Sequence, residues 1–355
     1  MTLEEVVRSI TPADQKAAAA AKARWDSIAK PLGSLGALEN AVIRIAAITG
    51  TPNVDLSKRA VVVMCADNGV VAQGVTQTGQ EVTAIVAENM STGDTSVCAM
   101  ARSAGVEVVP VDIGTARPLT GERILQRHIR RGTADFTQGP AMTREEAQRA
   151  VLTGVEIAQD LCANGVKLLG TGEMGIGNTT TSSAVASVFL NQEPEVMTGR
   201  GAGLSSEGLQ RKIKAIQQGI ERNQPDPNDP LDVVSKVGGL DLAGLAGVFL
   251  GGALCHVPVL VDGFISSVAA LIAARICPDS RDYMLGSHAS DEPASKLVLT
   301  ELGLEPFLYA GMRLGEGTGA VASIPLWEMA RAVYAESYSF EQCGVAAYTP
   351  QQGGA

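Results

Sequence analysis

Val166-Lys167-Leu168-Leu169-Gly170-Thr171-Gly172-Glu173-Met174-Gly175-Ile176-Gly177-Asn178-Thr179-Thr180-Thr181 decides how this chain is read. A short apolar run stops at glycines, turns through a carboxylate and enters a helical pattern over Thr180–Leu190. That succession is a strand, a tight turn and a helix. Working outward, the same order recurs. Ala60–Ala66 precedes Asp67-Asn68-Gly69, and Val106–Val111 precedes Asp112-Ile113-Gly114. Val257–Val261 precedes Asp262-Gly263, Tyr283–Leu285 precedes Gly286-Ser287-His288, and Pro306–Tyr309 comes before Gly311-Met312-Arg313. Helical patterns lie between them over Glu81–Met90, Arg144–Asn164, Phe264–Arg275 and Ala294–Leu302. Strands buried on both faces and alternating with helices predict an α/β fold, a parallel, doubly wound (Rossmann-like) sheet with flanking helices. Ligands in such sheets sit beyond the carboxyl ends of the strands, so the polar strand ends are where chemistry belongs.

The two ends of the chain break this alternation. Residues 1–50 read as two helices around Lys30-Pro31-Leu32-Gly33-Ser34-Leu35-Gly36, and 325–345 as one more, from Pro325 through Trp327 and Met329. The expected division is a small helical domain from 1–50 plus 325–355, and a large α/β catalytic domain over 51–324. Asn223-Gln224-Pro225-Asp226-Pro227-Asn228-Asp229-Pro230 reads as a surface loop. Leu242–Val261 carries no Asp, Glu, Lys or Arg and is long enough to cross a bilayer. Four glycines, His256 and Pro258 interrupt it, and it ends in Asp262-Gly263. A buried helix to about Leu254 followed by a strand is the expected reading, with no membrane span.

Composition narrows the function classes. At 355 residues with 45% hydrophobic residues, the chain exceeds one average domain and can bury a large core. The 28 Lys and Arg against 38 Asp and Glu give a net charge of -10. The one basic cluster, Arg127-His128-Ile129-Arg130-Arg131, reads as a solvated face, so no nucleic-acid partner is expected. Six cysteines without a C-x-x-C pair are expected to be reduced and mostly buried, holding no disulfide framework and no metal. Met1-Thr2-Leu3-Glu4-Glu5 lacks the basic and apolar regions of an export signal, so a cytoplasmic enzyme is expected. Of the three histidines, His256 reads as a core residue, His128 as exposed, and His288 as a strand-end residue within reach of a ligand.

Three glycine-rich segments remain. Gly172–Thr181 leads from strand to helix, Gly199-Arg200-Gly201-Ala202-Gly203-Leu204-Ser205-Ser206 opens the helix carrying Lys212, and Arg313-Leu314-Gly315-Glu316-Gly317-Thr318-Gly319 follows the last strand. Backbone N–H groups at a glycine-rich helix start bind an anion without a basic residue, which suits an acidic protein that takes a phosphate. None of the three fits a P-loop, and none gives G-x-G-x-x-G after the first strand, which argues against a dinucleotide-dependent oxidoreductase. Helix–sheet packing alone would account for one such segment; three, two of them holding a Glu, point to a site. A simple turn would favour Asn or Asp where Glu316 stands. Glu173 and Glu316 in one pocket would repel each other, raise a carboxyl toward neutrality and supply a general base.

The ordered set Lys30–Leu35, Asp67-Asn68-Gly69-Val70, Gln80-Glu81-Val82-Thr83, Gly172–Thr180, Gly199–Gly203, Val237-Gly238-Gly239-Leu240-Asp241, Asp262-Gly263-Phe264 and Gly315–Gly319 resembles the nicotinate-nucleotide–dimethylbenzimidazole phosphoribosyltransferase family of cobalamin lower-ligand synthesis. The resemblance covers nearly the whole chain. It implies transfer of the 5-phosphoribosyl group of nicotinate mononucleotide to a base, release of nicotinate, an α-linked ribotide, and no metal or cofactor. It implies Glu316 as catalytic base with Glu173 at the reacting centre, and phosphate and ribose contacts at Gly175, Gly177, Asn178, Gly201, Gly203, Lys212 and Ser290. The base pocket is expected among Thr78, Val86, Met174 and Leu314, with Pro31 contributing near a two-fold interface. Asn68 stands where many members carry His, and Gly79 where Pro is common. Some relatives work as paired, non-identical subunits and activate phenols through the same Glu. The base, and the choice between a homodimer and a heterodimer with a paralogue, therefore stay open at the level of sequence.

Overall fold

The computed structural model describes residues 1–348, so the last residues of the expected terminal domain, 349–355, lie outside the described residues. Six parallel strands form one sheet in the order β3-β2-β1-β4-β5-β6. They are β1 Arg59–Ala66, β2 Glu107–Gly114, β3 Leu125–Gln126, β4 Leu168–Met174, β5 Val259–Val261 and β6 Met284–Gly286. β1 is the centre from which the chain winds outward in both directions, so a crevice forms past the carboxyl ends of β1 and β4. Val61, Val62, Val63 and Met64 are wholly buried, because helices cover both faces of the sheet.

On one face the helix Leu240–Leu254 is buried from Leu240 to Ala253 and packs on Arg144–Ala163. Glycines let the two backbones touch. A Cβ at Gly247 would stand 1.9 Å from the Val151 carbonyl oxygen, and one at Gly154 1.9 Å from that of Gly244. The charge-free stretch is thus a buried 15-residue helix followed by β5. Among the described residues no helix is long and apolar enough to cross a membrane. On the other face Glu81–Thr92, Ser96–Ala104 and Thr318–Glu336 cover Val61, Val63 and Cys65 through Ala84, Ala87, Val97 and Val321.

Several expectations need correcting. Pro306–Tyr309 is not a strand; only Leu308 makes a bridge, to His288. Pro306 has no N–H to donate, and the Phe307 and Leu308 N–H groups both go to the Ser287 carbonyl, so the ladder stops at one bridge. The last long helix begins at Thr318, not Pro325, and carries Pro325 inside it. Val321, Ile324, Trp327, Ala330 and Tyr334 are buried at helical spacing, and this burial holds the helix through the proline. Three helices precede the sheet where two were expected: Leu3–Ser9, Gln15–Ser27 and Ala37–Thr49. The first packs Leu3 and Val6 into the main core. The other two gather Trp25, Val42 and Ala46 with Ala330 and Tyr334 into a separate cluster.

His256 is exposed, not a core residue. It takes a left-handed φ of 55° where the chain reverses into β5, and its Nδ1 lies 3.1 Å from the Tyr283 hydroxyl. All six cysteines are free, and only Cys65, Cys98 and Cys277 are buried.

Candidate active site

The crevice opens into a cavity of about 340 Å³ whose walls come from all three glycine-rich segments. Two of them meet backbone to backbone. A Cβ on Gly172 would lie 2.5 Å from the Gly317 nitrogen, so only glycine lets the last loop lie across the end of β4. The Glu316 N–H donates to the Glu173 carbonyl at 3.3 Å, which fixes the two acids side by side.

Glu316 has φ 62°, between Gly315 at 89° and Gly317 at 85°. Three successive left-handed residues make a sharp turn, and a side chain there costs about 1–2 kcal/mol. Its Oε2 accepts a hydrogen bond from the Val97 N–H at 3.3 Å, in the first turn of Ser96–Ala104. Burial, and less so the charge of Asp262, push its carboxyl above the usual range against that hydrogen bond. Glu173 is 7% exposed and is pushed well above its ordinary value, first by burial and then by the charge of Asp241. The Asn178 amide donates to its Oε2. Asp241, in the first turn of Leu240–Leu254, is wholly buried behind this pair and is raised by burial to about 6. Asp262 closes β5; its Oδ1 accepts from the Ala320 N–H at 2.9 Å, and burial raises its carboxyl too.

Beyond Asn178 the lining also gains a positive charge. Gly177, with φ 93°, turns the chain into the helix Asn178–Leu190, and Gly175, Gly177, Asn178 and Thr179 line the wall. Lys212 reaches in from Ser206–Asn223 through the protein interior. Its Nζ donates to Thr179 Oγ1 at 2.7 Å and to the Gly199 carbonyl at 3.2 Å, while burial lowers its pKa to about 8. Gly201 stands beside it, its N–H donating to Glu292 Oε1 at 2.9 Å, while Ser290 lines the cavity next to Gly263. A buried ammonium and a helix start together suit an anion, although the Gly201 N–H is taken by Glu292. The third wall is apolar, with Val86, Met174, Ile176, Phe264 and Leu314. Thr78 and Gln77 border it, and the Gln77 amide donates to the Ala202 carbonyl at 3.2 Å and to that of Gly203.

A family model described as a phosphoribosyltransferase matches residues 10–345. The nicotinate-nucleotide–dimethylbenzimidazole phosphoribosyltransferase of Acetivibrio thermocellus is 49% identical over 328 residues, 92% of this chain and 93% of its own. The enzyme of the same name from Ruminiclostridium cellulolyticum is 45% identical over 350 residues, 99% of each chain. The crystal structure of CobT from Thermus thermophilus has a TM-score of 0.90 at 39% identity, covering 94% of this chain and 100% of that one. This chain belongs to the nicotinate-nucleotide–dimethylbenzimidazole phosphoribosyltransferase family.

Of the residues that the resemblance to this family singles out, Glu316, Glu173, Gly175, Gly177, Asn178, Gly201, Lys212, Ser290, Thr78, Val86, Met174 and Leu314 line the one cavity. Two do not. Gly203 shapes the loop with φ 104° but stands outside the lining, and Pro31 is exposed on the Lys30–Gly36 turn. Asp262 lines the cavity, and so does His288, which the sequence placed within reach of a ligand; Gln77 and Glu292 line it without having been singled out. Asp262 and His288 were legible as strand ends. Glu292 follows its strand by several residues and carries no local signal, and Asp241 opens an apolar helix, marked only by the Val237–Asp241 motif.

Proposed function

We propose that the protein transfers the 5-phosphoribosyl group of nicotinate mononucleotide to 5,6-dimethylbenzimidazole, releasing nicotinate and giving the α-ribotide. The observation that carries this reading is Glu316, a carboxylate raised by burial and pinned by the Val97 N–H between Glu173 and an apolar wall. Phosphate fits the side of Lys212, Gly177 and Gly201, and the planar base fits Val86, Met174 and Leu314. One ring nitrogen attacks C1′ while the other N–H gives its proton to Glu316. The C1′–pyridinium bond breaks and its electron pair returns to the nicotinate ring. Positive charge building on the ribose offsets the mutual repulsion of Glu173, Asp262 and Glu316 and is stabilised by them.

The assembly proposed is an obligate homodimer acting in the cytoplasm, with Pro31 of one chain near the partner's cavity; pairing with a paralogue is the competing arrangement. Ile85, Tyr309, Met329 and Tyr338 are exposed apolar side chains of the sort a two-fold interface covers. Incubating the protein alone with nicotinate mononucleotide and a panel of benzimidazoles and phenols, while following nicotinate release, tests the activity. Release with benzimidazoles is the expected result. No release with any base rejects it, release only with phenols reassigns the acceptor, and a monomer by light scattering rejects the dimer.

A further inference from the structure

His288 is 4% exposed, lines the cavity and is used by no step above. Its ring lies against the first turn of Thr318–Glu336, where a Cβ on Gly319 would come within 1.8 Å of Nδ1. Gly263 flanks it on the other side, its would-be Cβ 3.4 Å from Cε1. The ring is therefore held in a slot built for it. Ser287 Oγ donates to the Val261 carbonyl at 2.6 Å, which leaves its lone pairs to face His288 Nδ1 at 3.3 Å. Asp262 Oδ1 lies 4.0 Å from the same nitrogen. Ser287 Oγ can only accept from the ring, so a proton belongs on Nδ1, and in the neutral ring Nε2 then carries the lone pair. No hydrogen bond from the described residues reaches Nε2, and it is not among the sealed, unpartnered atoms of the interior. The one open polar edge of a buried ring thus belongs to the cavity wall.

The surroundings decide which ligand group fits. Asp262, Glu173 and Glu316 share the cavity with His288 and would repel a phosphate or a carboxylate brought to this edge. Lys212 and Gly177 offer donors to an anion, and Met174 and Leu314 offer apolar side chains. A neutral hydroxyl donor is what remains for an acceptor nitrogen in acidic company. We propose that His288 is a specificity-determining residue that accepts, at Nε2, a hydrogen bond from a ribose hydroxyl of the phosphoribosyl donor. This assignment rests on the function proposed above.

The test is a thermodynamic cycle by calorimetry. Nicotinate mononucleotide and its 2′-deoxy and 3′-deoxy forms are titrated into the parent protein, His288→Ala and His288→Gln. A neutral hydrogen bond in a closed site is worth roughly tenfold in affinity. The parent should bind one of the deoxy forms about tenfold more weakly than the ribonucleotide. His288→Ala should lose that ratio by weakening only the ribonucleotide, and His288→Gln, whose amide oxygen can stand in for Nε2, should recover part of it. Equal weakening of all three ligands, or a ratio unchanged in His288→Ala, overturns the assignment. Tight ribonucleotide binding with no nicotinate release when the panel of bases is then added rejects the transferase reading and leaves this ratio to be judged by itself. No binding by the parent protein rejects both.

Discussion

Glu316 combines two costs that ordinary turn residues avoid, a left-handed backbone and a desolvated carboxylate. Neither contributes stability, which is why a carboxylate between glycines was legible in the sequence as a functional group. Glu316→Gln keeps the shape and removes the base, so turnover should fall by about 10²–10⁴. Nicotinate release on a variant with parental circular dichroism checks it, and near-parental turnover would strip Glu316 of its role. Lys212 gives a pH limb. Burial lowers its pKa to about 8, so above that pH the free enzyme loses the ammonium that draws the phosphate. Accordingly kcat/KM for the donor should fall as pH rises through about 8, while kcat falls later, because a bound dianion holds the proton on Lys212. A kcat/KM flat to pH 10 would count against the anion site. Asp241 was marked only through the motif Val237–Asp241; its apolar neighbours give no local reason for a carboxylate, and the fold brings it behind Glu173.

Among the elements, the strands and their polar ends were readable because burial on both faces writes an unbroken apolar run. Pro306–Tyr309 imitated such a run but pairs only through the Leu308 bridge to His288, and Pro325 imitated a helix start. Both failures come from packing that local patterns do not record. The same packing makes a sharp prediction where two helices touch. A methyl at Gly247 has no room against the Val151 carbonyl, so Gly247→Ala should cost about 1–3 kcal/mol or more. Gly139 has open space around its would-be Cβ, and Gly139→Ala should stay within about 0.5 kcal/mol of the parent. Urea midpoints at constant m-value compare the two. A parental midpoint for Gly247→Ala would mean that the helices can part without loss.

The molecule as a whole concentrates carboxyls whose pKa the fold raises: Glu173, Asp241, Asp262 and Glu316. In each, the folded state holds its proton more tightly than the unfolded chain. Their contribution to stability is therefore complete at pH below the unfolded value and is lost as pH rises through the folded one. For Asp241 the window runs from 3.8 to about 6, worth about 3 kcal/mol. Asp241→Asn should match the parent near pH 4 and exceed it by up to about that amount at pH 8, measured by urea unfolding across the range. A gap independent of pH would remove the electrostatic explanation. The buried acids thus make the fold least comfortable at the neutral pH where a poised base is useful.

The chain has two tryptophans, and both report on a single helix. Trp327 lies within Thr318–Glu336, edge-on to Phe307 with ring centres 4.3 Å apart, and Trp25 rests 5.2 Å from Tyr334 near its far end. That helix starts one residue after Gly317 in the reacting loop and ends in the cluster made with the N-terminal helices. The protein is in effect labelled along the helix that links the reacting loop to the chain ends, with no dye added. Occupying the cavity should shift the emission, although neither indole lines it. In urea the emission curve should overlay the backbone ellipticity at every concentration; an emission change that comes first would reveal this helix letting go while the sheet still stands.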